Sequence, residues 1–253
     1  MEQITSRSNP LAGQIRKLNS ARSARRDQGL FVCDGPKLLE EALRAGAVLT
    51  TVVHDGSRSC SVPDGVREVQ VPADLLKSLS TTETPQGVLF LCRQPDLTLP
   101  ETLPGTRFLV LDGVQDPGNV GTIWRTADAF GADGLILLPG CADPFSPKTV
   151  RATMGACFRL PVWETSLEGL IHALEKAGLP LYATALREDT DDVRRADLSR
   201  CAVVIGSEGR GVSQAVLDAC AGTLKIPMRQ RCESLNAAVA ASVVLWEMAR
   251  PLL

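Results

Sequence analysis

Short apolar runs with no polar alternation restrict the fold of this chain more than any other feature. Phe108-Leu109-Val110-Leu111, Leu135-Ile136-Leu137-Leu138 and Ala202-Val203-Val204-Ile205 are all of this kind. A strand with one wet face alternates apolar and polar residues. A strand that does not alternate is buried on both faces, as in a parallel sheet covered by helices. Between the first two runs, Val120, Ile123, Trp124 and Ala127 follow the i, i+3, i+4, i+7 spacing of a helix, with Gly131 as its stop. Asn119 stands just before that stripe, where an N-cap is expected. Strand, helix and strand make a βαβ unit and predict a parallel α/β sheet. Further strands are predicted at Leu181-Tyr182-Ala183-Thr184 and Thr223-Leu224-Lys225-Ile226. The last helix, Asn236 to Arg250, is apolar almost all round and has to be covered on several sides, by the domain core or by a second subunit.

Upstream, the stretch from Arg93 to Gly105 carries three prolines and no clean period, which reads as a linker. The expected organisation is a small α/β domain at 1–93, a linker at 94–106 and a larger domain at 107–253. In the first domain, strands are predicted at Leu30-Phe31-Val32-Cys33, at 48–53 and at 87–92. A helix opens at Gly35-Pro36, carries Leu38, Leu39, Ala42 and Leu43 on one face and stops at Gly46. Arg7, Arg16, Lys17, Arg22, Arg25 and Arg26 crowd the start of the chain. They suit a polyphosphate partner, or else a solvated or frayed arm. The net charge of −2 argues against a uniformly cationic nucleic-acid binder but hides such local clusters.

The eight cysteines show no CxxC pair, and His54 and His172 are the only histidines, so no metal site is expected. Most of the cysteines lie inside apolar runs and are read as reduced, buried small hydrophobes. No apolar stretch approaches the roughly 18 residues of a membrane span. The first residues lack a secretory layout, so the expected location is cytoplasmic.

Three segments carry the candidate chemistry. Asn119-Val120-Gly121-Thr122-Ile123-Trp124-Arg125 sits at a strand-to-helix junction, where free N–H groups favour anions. Arg125 falls in the second helical turn, off the apolar stripe, able to reach a phosphate or hydroxyl, or simply to lie on the surface. In Gly206-Ser207-Glu208-Gly209-Arg210-Gly211 a buried strand runs into a loop with three glycines and one carboxylate. This reads as a ligand loop or a tight turn. Ile226-Pro227-Met228 leads through Ser234-Leu235-Asn236 into the last helix, and Asn236 could be no more than its cap.

Taken in order, these segments resemble the SpoU (TrmH-like) family of RNA ribose 2′-O-methyltransferases. That family carries N-x-G-x-x-x-R, G-x-E-G-x-G and I-P-M…S-L-N segments, the last followed by an Ala/Val-rich helix. More loosely, Phe31-Val32-Cys33-Asp34-Gly35 and its helix resemble an L30e-like RNA-binding domain, with Asp34 where Glu is usual. The resemblance implies a SPOUT-type α/β catalytic domain whose C-terminal segment forms a trefoil knot, a rare exception to the rules of chain connection. It also implies S-adenosyl-L-methionine as cofactor, structured RNA as partner and a homodimer. Carried over by position, it places cofactor contacts at Gly206, Ile226 and Leu235. Catalytic or RNA-positioning roles fall at Asn119, Arg125, Glu208, Ser234 and Asn236. Three positions depart from the pattern: Gln230 stands for Gly, and Ala237 and Ala238 for Val and Ser.

A guanidinium stays protonated in proteins, so Arg125 is read as holding a phosphate and stabilising the developing alkoxide rather than as a literal base. Ribosomal RNA is favoured over transfer RNA, because a separate RNA-binding domain with a basic start suits a large structured RNA. The alternatives are a transfer-RNA enzyme and a non-catalytic RNA-binding protein of the same fold. A Rossmann enzyme is disfavoured, because the first strand ends in Asp112-Gly113-Val114-Gln115-Asp116 with no G-x-G-x-x-G.

Overall fold

The apolar runs become strands buried on both faces. The structure, a computed structural model, describes residues 1–58, 60–187, 190–229 and 234–252. The chain divides into two compact units, Met1–Pro95 with Phe145–Phe158, and Asp96–Pro144 with Arg159–Leu253.

The first unit contains β1 (Glu2–Gln3), α1 (Pro10–Ser20), α2 (Arg22–Gln28), β2 (Leu30–Asp34), α3 (Pro36–Arg44), β3 (Leu49–His54), β4 (Arg67–Gln70), α4 (Ala73–Leu79) and β5 (Val88–Arg93). Its sheet runs β1-β4-β3-β5-β2, with β5 antiparallel to both of its neighbours. The basic start of the chain is not a frayed arm. Asn9 caps α1 by accepting from the Leu11 amide at 2.9 Å, and Leu11, Ala12, Ile15 and Leu18 enter the core. Arg25 is buried on α2, where it donates to the Leu18 carbonyl, and Arg7 pairs with Asp74 at 3.0 Å. Part of the basic cluster is therefore structural and is not available to a phosphate.

The second unit begins inside the proline-rich stretch. The Glu164 amide donates to the Leu97 carbonyl at 2.7 Å, and Leu103 packs into the core, so residues 96–105 are tied down. Then follow β6 (Arg107–Asp112), α5 (Pro117–Ala129) and β7 (Gly134–Leu137). Next the chain enters the first unit. Phe145 lies 4.6 Å from the Phe31 ring, Ser146 caps α6 (Pro147–Thr153), and Phe158 closes on Phe31 from 6.2 Å. In sequence this segment falls within the 107–253 domain, and its phenylalanines draw it to the other core.

Back in the second unit come β8 (Val162–Glu164), α7 (Leu167–Ala177), β9 (Leu181–Thr184), β10 (Asp191–Asp192), β11 (Cys201–Gly206), α8 (Gln214–Ala219), β12 (Gly222–Lys225) and α9 (Ala237–Ala249). All seven strands are parallel, in the order β10-β12-β9-β11-β6-β7-β8. The parallel α/β class read from the apolar runs is the fold observed. α9 packs against α5 and β11. Among the described residues no helix is long and apolar enough to cross a membrane.

Trp124 is fully buried on α5 and donates its indole N–H to the Leu160 carbonyl at 3.0 Å. Trp124→Phe keeps an aromatic ring but strands that buried carbonyl. It is expected to cost about 2 kcal/mol, read as a lowered urea midpoint with an unchanged slope.

Candidate active site

Three loops leave the carboxyl ends of β6, β11 and β12, the edge at which open α/β sheets bind ligands. The first corrects the reading of Asn119. Asp116, not Asn119, caps α5, accepting from the Asn119 amide at 3.0 Å, and Pro117 fills the first helical position, where no N–H is needed. Helix geometry thus begins three residues earlier than the apolar stripe suggests. Asn119 lies within the first turn, and its side chain is free of capping duty.

That side chain joins the three motifs. Its Nδ2 donates to Oε1 of Glu208 at 2.7 Å, and its Oδ1 accepts from Nδ2 of Asn236 at 3.1 Å. Asn236 does cap α9, its Oδ1 accepting from the amides of Ala238 at 2.9 Å and Val239 at 3.3 Å. An ionised carboxylate can only accept, so Glu208 dictates which end of the Asn119 amide faces it, and the remaining donors and acceptors follow in turn. Burial pushes the Glu208 carboxyl up. The bond from Asn119 and backbone bonds at Gln115 and Asp116 outweigh it and hold the group below the ordinary glutamate value.

The glycine loop is closed by reciprocal bonds, Ser207 N–H to the Gly211 carbonyl at 3.0 Å and Gly211 N–H to the Ser207 carbonyl at 2.9 Å. At Gly206 the two sides of this hairpin nearly touch. A Cβ there would stand 2.0 Å from the Gly211 carbonyl carbon and 2.1 Å from the Val212 nitrogen, so only glycine fits.

Beside the hairpin is a cavity of about 440 Å³, within the range of small-molecule sites. Ile205, Leu224, Ile226 and Ala237 give it apolar walls, and Gly206, Glu208, Ser234 and Leu235 also line it. The backbone amides of Ile226 and Leu235 have no backbone acceptor among the described residues. Of the eight sequence-predicted residues, Gly206, Glu208, Ile226, Ser234 and Leu235 line the cavity, Asn119 is bonded to its edge through Glu208, and Asn236 is bonded to Asn119. Arg125 is the exception. It is exposed in the third turn of α5, outside the cavity lining, with no hydrogen bond or ion pair among the described residues. Ala237 and Ala238 are buried at the start of α9, while Gln230 lies outside the described residues.

Sequence reasoning missed the wall formed by Thr184, Ala185 and Leu186. The signal was present, since these residues follow the carboxyl end of β9, a strand whose span the sequence indicates correctly. Asp112 was also missed. Its carboxylate accepts from the Ser213 amide at 2.7 Å and ties the end of β6 to the loop after β11.

Comparison with known proteins gives consistent results. The sequence profile of the SpoU rRNA Methylase family matches residues 106–246, and that of the MRM3-like substrate binding domain matches residues 9–89. The 23S rRNA (guanosine(2553)-2′-O)-methyltransferase RlmP of Bacillus subtilis (strain 168) is 34% identical over 250 residues, covering 98% of this chain and 99% of that protein. The 23S rRNA (uridine(2479)-2′-O)-methyltransferase of Streptomyces viridochromogenes is 34% identical over 263 residues, covering 98% and 91%. The crystal structure of an AdoMet-bound rRNA methyltransferase from Sinorhizobium meliloti superposes with a TM-score of 0.89 at 33% identity, over 100% of this chain and 98% of that one.

Two outcomes are expected. Gly206→Ala should force the hairpin open and cost about 3 kcal/mol in thermal or urea unfolding. Gly209→Ala, whose Cβ would meet open space, should be close to neutral. For pH, a carboxyl held low in the folded state stabilises above its unfolded value and loses that contribution as pH falls through the folded one. The Asn119 side-chain amide signals in NMR should therefore be unchanged through neutral pH and shift only in the acid range below the ordinary glutamate value.

Proposed function

The chain belongs to the SpoU rRNA methylase family, and on that premise we propose that it transfers a methyl group from S-adenosyl-L-methionine to a ribose 2′-hydroxyl of 23S-type ribosomal RNA. The observation that carries the reading is the Glu208–Asn119–Asn236 chain, which binds all three motif segments to the rim of one cavity.

The residues present fit that cofactor. Apolar walls at Ile205, Leu224 and Ile226 suit an adenine ring, and the amides of Ile226 and Leu235, which have no backbone acceptor among the described residues, suit its polar edges. When bound, the cofactor supplies a methyl carbon already activated by its sulfonium. Alignment and management of the hydroxyl proton are then the tasks of the protein. Glu208, held ionised, keeps the Asn119 and Asn236 amides in one orientation. Those two with Ser234 hold the loops and the ribose. Arg125 grips the phosphate next to the target nucleotide and stabilises the developing alkoxide through its fixed fork of donors.

The N-terminal domain, residues 1–93, is the L30e-like RNA-binding part of this reading. In this reading the second unit carries the family's trefoil knot. The enzyme works in the cytoplasm as a homodimer. In support of the dimer, Val239 and Trp246 are 50% and 45% exposed on one face of α9, with Ser242 and Val243 between them. Such a stripe is costly in water and suits a second copy.

The direct test is incubation with S-adenosylmethionine and ribosomal RNA, followed by mapping of 2′-O-methyl positions; absence of any new site would refute the assignment. Arg125→Ala is expected to lower turnover about 100-fold or more with cofactor affinity nearly intact by calorimetry. Arg125→Lys should restore little, because a lysine lacks the fork. Trp246→Glu should shift the protein from dimer to monomer in light scattering.

A further inference from the structure

A second cavity, of about 610 Å³, lies wholly within the first unit, among the start of α3, the loop after α4 and the end of α6. Asp34, Lys37, Thr84, Gln86, Arg151 and Met154 are among its lining. Nothing in the methyl-transfer reading uses it.

Asp34 is half-buried, and its two hydrogen bonds converge on one oxygen. The Ser80 hydroxyl and the Thr82 hydroxyl, the latter at 3.3 Å, both donate to Oδ2. Oδ1 has no hydrogen-bond partner among the described residues, which leaves a strong acceptor on the wall of a hollow. Burial pushes this carboxyl up, while the two hydroxyls and the nearby Arg151 pull against it.

Met154 is the second unusual feature. Its φ of 50° makes it the one non-glycine residue with positive φ among those described, and the residue is 51% exposed at the cavity edge. Glycine would take that backbone without strain, so a thioether here carries a cost in both conformation and exposure. Lys37 and Arg151, the cations of the lining, make no hydrogen bond or ion pair among the described residues, and Arg151 meets Asp34 only through its field. Glu41, by contrast, is already engaged by Arg44 at 2.6 Å.

An acceptor oxygen without a hydrogen bond, an exposed polarizable side chain and two cations, set against Glu40 and Glu41 in the same lining, match the chemistry of a splayed-out nucleotide. Single-stranded bases are read by stacking and by bonds to their edges. A carboxylate suits an exocyclic amino group, as on cytosine or adenine. Uracil flanks its one N–H with two carbonyl oxygens that a carboxylate repels.

We propose that this cavity receives one unstacked RNA base bearing an exocyclic amino group. The amino group donates to Asp34 Oδ1, Met154 lies against the ring, and Lys37 and Arg151 take the flanking phosphates. The inference rests on the RNA-methyltransferase reading and adds to it a base-selective contact remote in sequence from the three motifs.

The test is fluorescence anisotropy of the full-length protein with labelled octa-adenylate, octacytidylate and octauridylate at low salt. The first two are expected to bind about tenfold more tightly than the third. Asp34→Asn, which replaces a pure acceptor by a group that also donates, should erase that preference. Met154→Gly suits the backbone and so keeps the fold, and it should weaken octa-adenylate and octacytidylate about tenfold. Equal affinity for all three oligonucleotides, no binding to any, or a preference that survives Asp34→Asn overturns the pocket. Methyl transfer to ribosomal RNA, measured on the same preparations, separates the two failures. Intact transfer without base preference removes the pocket alone, whereas loss of both transfer and S-adenosylmethionine binding in the unsubstituted protein removes the enzymatic reading.

Discussion

A carboxamide has one end that donates and one that accepts, and in Asn119 both are committed. The donor end meets Glu208 and the acceptor end meets Asn236, so one side chain from α5 spans the loop after β11 and the cap of α9. The bond to an ionised acceptor is of the stronger, charge-assisted kind. Its larger effect is on orientation. With Glu208 ionised the Asn119 amide cannot flip, and with Asn119 fixed Asn236 must present its own donor and keep its oxygen for the α9 amides. Three loops distant in sequence thus share one hydrogen-bond polarity, set by a single negative charge.

That network can exist only because the sheet supplies its geometry. β11 lies between β9 and β6, so the loops of these strands emerge side by side at one edge. The close approach at Gly206 folds the hairpin back on itself, and Asp112 ties it to the end of β6 through the Ser213 amide. The apolar pattern of the strands is therefore a requirement of the site as well as of the core. A polar residue facing inward on β11 would disturb the frame that brings Glu208 to Asn119.

The sheet, its main strands and the last helix were legible because their physics is local: unbroken apolar runs and a 3.6-residue period leave few alternatives. The helix start at Asp116 was misread because Asn119 and Asp116 are both good caps, and the choice depends on Pro117 at the first helical position. The basic N-terminal residues were ambiguous for a different reason. Charge alone does not reveal that Arg25 is spent on the Leu18 carbonyl. The destination of residues 145–158 was illegible altogether, since their fit around Phe31 is a matter of three-dimensional packing between segments more than a hundred residues apart. At the site, the residues were named from their motifs, but the bond pattern among them could not be. It depends on the freedom of the Asn119 side chain, which the misplaced cap concealed.

Net charge is a poor guide to an RNA-binding protein of this kind, and the structure gives the reason. Many carboxylates are engaged by arginines of their own unit, as in Asp128 with Arg159, Asp192 with Arg194 and Glu2 with Arg67. These pairs cancel in the field felt by a polyanion and contribute little to stability where they are exposed. Lys37, Arg125 and Arg151 are different, being cations with no hydrogen bond or ion pair among the described residues, two of them beside the cavity of the first unit and one on α5. A polyanion responds to charge that is not locally neutralised, and salt-dependent affinity counts phosphates met rather than the overall sum. A chain with a formal charge of −2 can therefore still present individual unpaired cations to a polyanion, even where, as around Lys37 and Arg151, carboxylates such as Glu40 share the lining.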